Sequence, residues 1–280
     1  MKTKSRKKTY HKTAKILLVV ILLIGFWWFE NFSLNIVKTT IPSSKITDTI
    51  NIVQISDLHG HEFGSGNKRL IKKISALNPD LIFVTGDMFT NGDTRGMDIA
   101  IQTITRLCDT APVYFVPGEH DHGQDFLFAL ESAGVHVMCY KTETIEIKGN
   151  PITIYGINNV YYSSTFDLHN EFDAPDSGRL ALLLAHIPNY DAFMNFGADV
   201  TFCGDTHGGV VQLPFLGPMY FEGEWFPEIT KGKSNVTDRG LFSDEQGHSM
   251  YVSPGLGNYP YPVRLFNRPE ISYIQISPEE

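Results

Sequence analysis

Residues 51–60 read NIVQISDLHG, a β-branched and apolar run that ends in an acid, a spacer, an imidazole and a glycine. The run predicts a β-strand, and open α/β sheets place their chemistry at the carboxyl ends of their strands. Asp57 and His59 are two residues apart, so both side chains point to one face of extended backbone. A carboxylate and an imidazole that converge form half of a first-row metal site, although a turn aspartate beside an exposed histidine fits the same residues.

Four more predicted strands end in the same kinds of residue. They cover 81–85, 113–116, 179–184 and 199–203, and the residues that follow them are Asp87, Glu119, His120, Asp121, His186, Asp205 and His207. Any one of these residues fits a turn or a helix cap. Five such strand ends at one sheet edge instead predict a polynuclear metal centre with carboxylate and imidazole ligands and no cysteine.

Helical patterns alternate with these strands and predict an α/β fold. Helices are predicted at 68–77, about 97–108, about 123–133 and 189–195, and further strands at 135–140, 142–148, 152–157, 249–253 and 271–277. The strand at 81–85 is apolar throughout, as in a sheet buried on both faces. Three cysteines in apolar surroundings give no disulfide framework and are predicted to be core residues.

Five blocks, DLH (57–59), TGD (85–87), GEHD (118–121), AH (185–186) and GDTHGG (204–209), resemble in order and spacing the motifs of the calcineurin-like metallophosphoesterase superfamily. The resemblance covers about residues 50–280. The segment YVSPGLGNYPYPVRLFNRPEI (251–271) is similar to the membrane-associated bacterial branch, which includes enzymes like UDP-diacylglucosamine pyrophosphatases. The resemblance implies a four-layer αββα sandwich that holds two divalent metals and hydrolyses a phosphoester with a hydroxide activated by the dinuclear centre.

The resemblance also implies a role for each motif residue. Seven positions match metal ligands of the family, and they are Asp57, His59, Asp87, His207, Glu119, His186 and Asp205. The first four correspond to the first metal, and Asp87 bridges to a second metal that the last three complete. His120 matches the catalytic histidine that contacts the scissile phosphoryl group, and Asp121 either orients that histidine or caps the following helix.

Two ligand positions depart from the family pattern, which usually has Asn where this chain has Glu119 and His where it has Asp205. Both residues remain oxygen donors, and they add negative charge at the second metal. Hard ligands favour Mn²⁺, Fe²⁺ or Mg²⁺ over Zn²⁺, so one hypothesis is an intact but retuned centre. The alternatives are a catalytically weakened, metal-binding homologue that acts as a membrane-tethered binding protein, and an interaction module that reuses the fold.

The charge of the chain is divided between a basic start and an acidic body. The first fifteen residues hold seven lysines and arginines and no acids, so the net charge of −8 leaves −15 on residues 16–280. An acidic body argues against nucleic acid as a substrate or partner, because phosphate contacts need clustered cations.

An uncharged apolar run, ILLVVILLIGFWWF, covers residues 16–29. Its helix would span about 21 Å, short of a hydrocarbon core of about 30 Å, but continuation to residue 37 suffices. A cleaved signal peptide has an apolar region this short, yet no small-residue cleavage site follows. The pattern favours a single-pass signal anchor at 16–37, a basic cytoplasmic tail at 1–15, a polar tether at 38–50 and an extracytoplasmic metallophosphoesterase domain at 51–280.

An anchor of this kind places the domain at the cell membrane, near lipid headgroups. We therefore expect a phosphodiester or a pyrophosphate on a lipid-linked or envelope substrate. Segment 213–229, LPFLGPMYFEGEWFPEI, offers an apolar wall to acyl chains or to the membrane, and it fits an ordinary core or lid equally well. The sequence leaves open the choice among monoester, diester and pyrophosphate, and also the oligomeric state.

Overall fold

Two six-stranded β-sheets pack against each other, and helices cover their outer faces. The structure, a computed structural model, describes residues 2–121, 123–158, 166–221, 224–225, 238–259 and 263–279. Its helices are α1 (Lys2–Phe32), α2 (Lys68–Ser75), α3 (Thr94–Leu107), α4 (Gln124–Ser132) and α5 (Tyr190–Phe196). Its strands are β1 (Asn35–Ser43), β2 (Ile50–Ile55), β3 (Leu81–Thr85), β4 (Val113–Val116), β5 (His136–Val137), β6 (Lys141–Ile147), β7 (Asn150–Gly156), β8 (Leu180–Leu184), β9 (Val200–Cys203), β10 (Gln212–Leu213), β11 (Gly217–Pro218), β12 (Tyr220–Phe221), β13 (Glu224–Trp225), β14 (Gly240–Ser243), β15 (Ser249–Val252) and β16 (Glu270–Pro278).

The topology brings several strand ends to one side of the molecule. The strand order is β1-β16-β2-β3-β4-β5 in the first sheet and β14-β15-β9-β8-β7-β6 in the second. Within the first sheet β2, β3, β4 and β5 run parallel, and within the second β15, β9, β8 and β7 run parallel. We call the edge at which β2, β3, β4, β8 and β9 end the carboxyl edge, and open α/β folds carry their sites there.

The core has three layers of apolar contacts, which explains why the central strands are apolar without interruption. On β3, Ile82 and Val84 face helices α2 to α4, while Leu81 and Phe83 face the second sheet. Phe83 meets Phe202 of β9 across the two sheets, with ring centroids 4.9 Å apart. A third cluster packs the outer face of the second sheet on α5. Strands covered on both faces read as continuous hydrophobic runs, and the predicted αββα layering is confirmed.

The prediction of a tether at 38–50 is wrong for its first half. β1 pairs in parallel with β16 along all nine of its residues. Its Thr and Ile residues are β-branched and favour a strand, while its polar side chains suit an edge strand with one side open to water. Ile41 of β1 is buried. Only residues 44–49 therefore connect β1 to β2.

The end of the predicted anchor is corrected for the same reason. Helix α1 ends at Phe32, and residues 35–37 already belong to β1. The part of α1 from His11 to Phe32 is 22 residues long, apolar, and almost entirely exposed. At 1.5 Å per residue it spans about 33 Å, long enough to cross a membrane. The chain thus carries one N-terminal apolar helix that is a candidate membrane span within the described residues.

The other predicted elements differ from the structure mainly at their ends. Strands predicted at 81–85 and 113–116 coincide with β3 and β4. The strand predicted at 135–140 shortens to the two residues of β5, and edge strand β14 was not predicted. Cys203 is buried as expected, whereas the other two cysteines are only partly buried.

Candidate metal centre

The predicted site residues lie in loops at the carboxyl edge, and both sheets contribute them. In chain order these residues are Asp57, His59, Asp87, Glu119, His120, Asp121, His186, Asp205 and His207. Three sets of side chains bring their ligand atoms within 4.8 Å of one another, and the sets are Asp57 with His59 and His207, His59 with Asp87 and His120, and Asp57 with Asp87 and His186. Overlapping sets of this kind describe one extended centre rather than separate sites.

One part of the centre contains two imidazoles and a buried acid. Nε2 of His59 lies 3.3 Å from Nε2 of His207. The same His207 nitrogen lies 3.6 Å from Oδ1 of Asp57. Nδ1 of His59 is 3.2 Å from the Thr90 hydroxyl, so a hydrogen bond there leaves Nε2 directed toward the centre. Metal-binding histidines are commonly oriented through their second nitrogen in this way.

Asp87 lies between the two parts of the centre. Its Oδ2 atom is 3.7 Å from Nε2 of His59 and 3.4 Å from Nε2 of His186. Its Oδ1 atom accepts the backbone N–H of His120 at 2.9 Å. Asp205 completes the second part, because its Oδ1 lies 3.7 Å from the same His186 nitrogen. One Asp87 carboxylate therefore faces imidazole nitrogens of both parts of the centre.

An unpaired nitrogen on His186 shows that these residues fit a metal. Nδ1 of His186 lies 2.7 Å from the Thr85 carbonyl oxygen and donates its proton to it. That bond leaves Nε2 as the basic nitrogen, and Nε2 is buried without a hydrogen-bond partner in the described part of the chain. Nδ1 of His207 is also buried and unpaired there. Buried polar atoms normally have partners, and the unpaired Nε2 of His186 faces the carboxylates of Asp87 and Asp205, so this nitrogen fits a metal ion.

Burial determines the protonation of the first part. Removal from water lowers the pKa of His59 to about 3 and holds the pKa of His207 well below its usual value. Both imidazoles are therefore neutral at pH 7, which is the form that binds a metal. Burial also raises the pKa of Asp57 to about 7. A metal ion would restore its ionised form, because an adjacent positive charge stabilises a carboxylate.

The second part contains a coupled acid and base. Burial alone would raise the pKa of Asp87, but contact with His186 outweighs it and brings the pKa down to about 2. Burial alone would lower the pKa of His186, but the carboxylates of Asp87, Asp57 and Asp205 outweigh it and raise the pKa well above the usual value. The same three carboxylates would stabilise a metal ion bound at Nε2 of His186, since they favour positive charge at that nitrogen.

The backbone around the centre is strained. Five of the seven predicted ligands have positive φ angles, and these residues are Asp57, His59, Asp87, Asp205 and His207. Their φ values lie between 46° and 72°, the left-handed region that residues with a side chain seldom adopt. Strain of this kind clusters at functional sites, where the surrounding fold holds side chains in positions that an unstrained loop would not give.

Two glycines permit the strand ends to approach closely. A Cβ atom at Gly118 would collide with the Asp87 carboxylate, and one at Gly204 would collide with the side chains of Ser56 and Asp57. Gly204 follows β9 of the second sheet, whereas the other residues follow strands of the first sheet. These contacts explain why glycine precedes Glu119 and Asp205 in the motifs.

His120 lies at the rim of the centre. The backbone N–H of Asn91 donates to its Nδ1 at 3.5 Å, so the proton of a neutral ring is on Nε2. Its ring packs edge-on against His59, with centroids 5.3 Å apart. Tyr259 stacks on His59 at 4.7 Å and meets His120 edge-on at 4.6 Å. Sequence reasoning missed Tyr259, although it stands in the quoted segment 251–271.

Glu119 and Asp121 occupy different surroundings from those expected. Oε1 of Glu119 lies 3.7 Å from Nε2 of His120, and its side chain is 40% exposed, so it belongs to none of the three sets. The buried Asp121 carboxylate accepts the backbone N–H of Met88 at 2.9 Å and of Gly118 at 3.1 Å. Asp121 therefore joins the loops after β3 and β4. The predictions that it caps the next helix or orients the His120 ring are corrected, because its two oxygens serve backbone N–H groups.

Comparison with known families agrees with this geometry. A family model described as calcineurin-like phosphoesterase matches residues 50–209, which is more than half of the chain. The chain belongs to this family and is a phosphoesterase hydrolase. The matched region contains every motif residue discussed above.

Several curated relatives are similar over most of the chain. An uncharacterized metallophosphoesterase of Bacillus subtilis, YkuE, is 28% identical across 88% of this chain and 86% of its own length. An uncharacterized metallophosphoesterase of Aquifex aeolicus is 26% identical across 92% of this chain and 97% of its own. A zebrafish protein named as a transmembrane protein with a metallophosphoesterase domain is 24% identical across 86% of this chain and 56% of its own.

Proposed function

We propose that this protein is a membrane-anchored, metal-dependent phosphoesterase that hydrolyses a phosphodiester or a pyrophosphate on a lipid-linked or envelope substrate. Two divalent metals would be held by Asp57, His59, Asp87, Glu119, His186, Asp205 and His207. The observation that carries the proposal is the position of Asp87. One of its oxygens lies within 3.7 Å of imidazole nitrogens from both parts of the centre.

The donor set favours particular metals. Four of the seven proposed ligands are carboxylates, and none is a thiolate. Oxygen-rich sites suit Mn²⁺, Fe²⁺ or Mg²⁺ better than Zn²⁺. When bound, such metals supply Lewis-acid charge and lower the pKa of water.

The chain's own groups would complete the chemistry at the rim. Nε2 of His120 carries a proton and is directed away from the bond at Nδ1, so it can donate to a phosphoryl oxygen or to the departing oxygen. Asp121 acts as a positioning residue, because it holds the loops that carry Asp87 and His120. Tyr259 forms an aromatic wall beside both histidines and shields that side of the centre from water.

Helix α1 supports a membrane location. Its apolar part is long enough to span a bilayer. Seven lysines and arginines lie in the first fifteen residues, on the N-terminal side of the apolar run. By the positive-inside rule these cations remain in the cytoplasm, so the catalytic domain would lie outside. This arrangement is also expected for the membrane-associated bacterial branch of the family, in which we place the chain. The zebrafish relative, named as a transmembrane protein, adds support for a membrane protein.

The test uses the full chain, purified in detergent, stripped of metal, and supplied in turn with Mn²⁺, Fe²⁺, Mg²⁺, Zn²⁺ or Ca²⁺. Hydrolysis of p-nitrophenyl phosphate and of bis(p-nitrophenyl) phosphate is measured, with Asp87→Asn as the matched control. We expect activity with one or two of the hard metals and none in the control. Two bound metals without hydrolysis of either compound would indicate a narrow substrate range.

A second candidate function is a metal-binding protein with weakened catalysis. The partly exposed side chain of Glu119, outside the three sets of ligand atoms, favours it. One bound metal, or none, together with an absence of hydrolysis would support this candidate and contradict the phosphoesterase proposal.

A further inference from the structure

The membrane helix joins the domain at the carboxyl edge. β1 begins at Asn35, which pairs with Glu270 at the start of β16. Since β16 is antiparallel to β2, and Ser272 pairs with Gln54, the start of β1 lies beside the end of β2. Only Ser33 and Leu34 separate α1 from β1. Helix α1 therefore meets the domain on the same side as the metal centre.

The last turn of α1 is fixed to the domain through Asn31. Its Oδ1 accepts the backbone N–H of Arg264 at 2.7 Å and the amide of Asn258 at 3.1 Å. Its Nδ2 donates to the Arg264 carbonyl at 3.2 Å and to the Trp27 carbonyl at 2.8 Å. All four hydrogen-bonding positions of this buried amide are used. The orientation of the domain relative to the helix is thus specified by the contacts, with no flexible linker between them.

This attachment lies close to the metal centre. Asn258, which donates to Asn31, is followed by Tyr259, whose ring stacks on His59 at 4.7 Å. On the other side of the helix end, the Phe32 ring lies 5.0 Å from the ring of His61. One residue separates His61 from His59 in the sequence. The residues that contact the end of the membrane span are therefore close in sequence to residues that contact or form the metal centre.

Exposed apolar side chains continue the surface of α1 along this edge. Phe266 lies 5.8 Å from Phe26 of the helix, and Phe266 and Val263 are 48% and 41% exposed. Leu265 bridges to Val211, which attaches the β10–β11 hairpin to the same segment. The tip of that hairpin is Phe215 and Leu216, with relative exposures of 107% and 75%. We call Phe215, Leu216, Val263 and Phe266 the apolar rim.

Two arginines lie at the level where α1 leaves the proposed membrane. The Arg268 guanidinium is 4.4 Å from the centre of the Phe29 ring, and that of Arg69 is 6.0 Å from the Trp28 ring. Arg69 also donates to the Phe32 carbonyl at the end of the helix, at 3.4 Å. The remainder of the domain is acidic, so cations at this position complement the phosphates of lipid headgroups.

We propose that the apolar rim enters the lipid leaflet in which α1 ends, so that the metal centre opens toward the headgroups of that leaflet. The occupant of the rim is the bilayer itself, because the rim continues the surface of the helix that crosses it. The substrate would then be an amphiphile with a phosphodiester or pyrophosphate, presented from the membrane. The inference rests on the proposed function for the membrane span and for the reaction type. The apolar wall predicted at 213–229 contributes Phe215 and Leu216 to the rim. Residues 222–223 and 226–229 of that segment lie outside the described residues.

The test places a photoreactive aromatic residue in the rim of the full chain. p-Benzoylphenylalanine replaces Phe215 or Phe266, and in a matched control it replaces Glu146, an exposed residue of β6 near the opposite edge of the sheets. The protein is reconstituted in nanodiscs of phosphatidylethanolamine and phosphatidylglycerol and irradiated, and lipid adducts are measured by mass spectrometry. We expect adducts at positions 215 and 266 in at least tenfold excess over position 146.

Two other labelling results would contradict the proposed membrane contact. Equal lipid labelling at all three positions, or none, would show that the rim does not enter the leaflet. Crosslinking between two copies of the chain would assign the rim to an oligomer interface instead. Because labelling needs no turnover, an inactive protein that binds one metal or none and still forms lipid adducts would contradict the proposed function and leave the membrane contact standing.

A second readout concerns substrate presentation. The double variant Phe215→Ser and Leu216→Ser removes two rim side chains, neither of which belongs to the metal centre. Hydrolysis of a pyrophosphate-linked lipid in nanodiscs should fall at least fivefold, while hydrolysis of bis(p-nitrophenyl) phosphate in solution stays unchanged. If hydrolysis of both compounds falls equally, or if hydrolysis of neither falls, the inference is overturned.

Discussion

The metal centre and the attachment of α1 are two buried polar clusters, and they differ in how far their polar atoms are paired. At the attachment, the guanidinium of Arg264 donates to the carbonyls of Gly257, Pro254 and Asn267, and the Asn31 amide uses all of its positions. At the metal centre, His186 and His207 each leave a buried nitrogen unpaired. Oδ1 of Asn258, beside the attachment, is also buried without a partner in the described part of the chain. The feature that marks a ligand site is therefore the set of carboxylates around the unpaired nitrogen of His186, rather than an unpaired atom alone.

The backbone shows the same difference. Five predicted ligands are held at positive φ, and burial raises the pKa of Asp57 to about 7, so its ionised form is less favoured than in a free loop. Natural proteins accept such costs at functional sites and compensate for them elsewhere. The attachment of α1 is one place where well-paired groups can offset that cost. Four predictions separate the two clusters, and they are given from the largest expected effect to the smallest.

The largest effect is expected from Asp87→Asn. The amide keeps the size of the side chain but removes the charge that lies between the two parts of the centre. We expect hydrolysis of bis(p-nitrophenyl) phosphate to fall by about a thousandfold or more, since one electrostatic group in such a site contributes about that much. Bound metal, measured by mass spectrometry, should fall by at least one ion per chain. Near-normal activity would exclude Asp87 as a bridging ligand.

The second prediction concerns Arg264→Leu. The leucine leaves three buried carbonyls without a donor, and each costs about 1–3 kcal/mol. We expect the free energy of unfolding, from urea denaturation in detergent, to fall by about 3 kcal/mol or more. Arg95→Leu is the matched control, because Arg95 is exposed and its pairing with Glu62 contributes about 1 kcal/mol at most.

The two clusters also separate in the metal content of the Arg264→Leu variant. Since none of the proposed ligands is altered, the folded fraction should bind metal as the parent chain does. Loss of metal without loss of stability would reverse the assignment of the two clusters, because it would make the attachment part of the metal centre.

The sequence was informative about these clusters to different degrees. Asp57, His59 and the other motif residues could be found because they are chemically unusual at strand ends and recur in a known order. The pairing of Asn31 with Arg264 could not, because an asparagine and an arginine 233 residues apart carry no local pattern. The sequence of β1 predicts a tether, because an edge strand is polar and the partner of this one, β16, is far away in the chain.

Chelation of the metals is the third test of the comparison. A ligand that binds only the folded state at a hundred times its dissociation constant stabilises that state by about 2.7 kcal/mol. We therefore expect the melting temperature of the full chain to fall by several degrees in a chelator and to return when Mn²⁺ is added back. The Asp87→Asn variant should show a smaller shift, and an unchanged melting temperature in the parent chain would argue that the unpaired nitrogens hold no metal.

The smallest effect is expected from Glu119→Asn, because the Glu119 side chain is 40% exposed and lies at the margin of the centre. The substitution restores the usual family residue and removes one negative charge next to His120. Activity should change by less than about tenfold, which corresponds to about 1.4 kcal/mol in the barrier, and the preference for Mn²⁺ over Zn²⁺ should weaken. Glu119→Gln keeps the length of the side chain and separates the effect of charge from that of shape. If both variants keep the metal preference of the parent, Glu119 does not tune the second metal, and the hard character of the site must come from Asp205 and the other carboxylates.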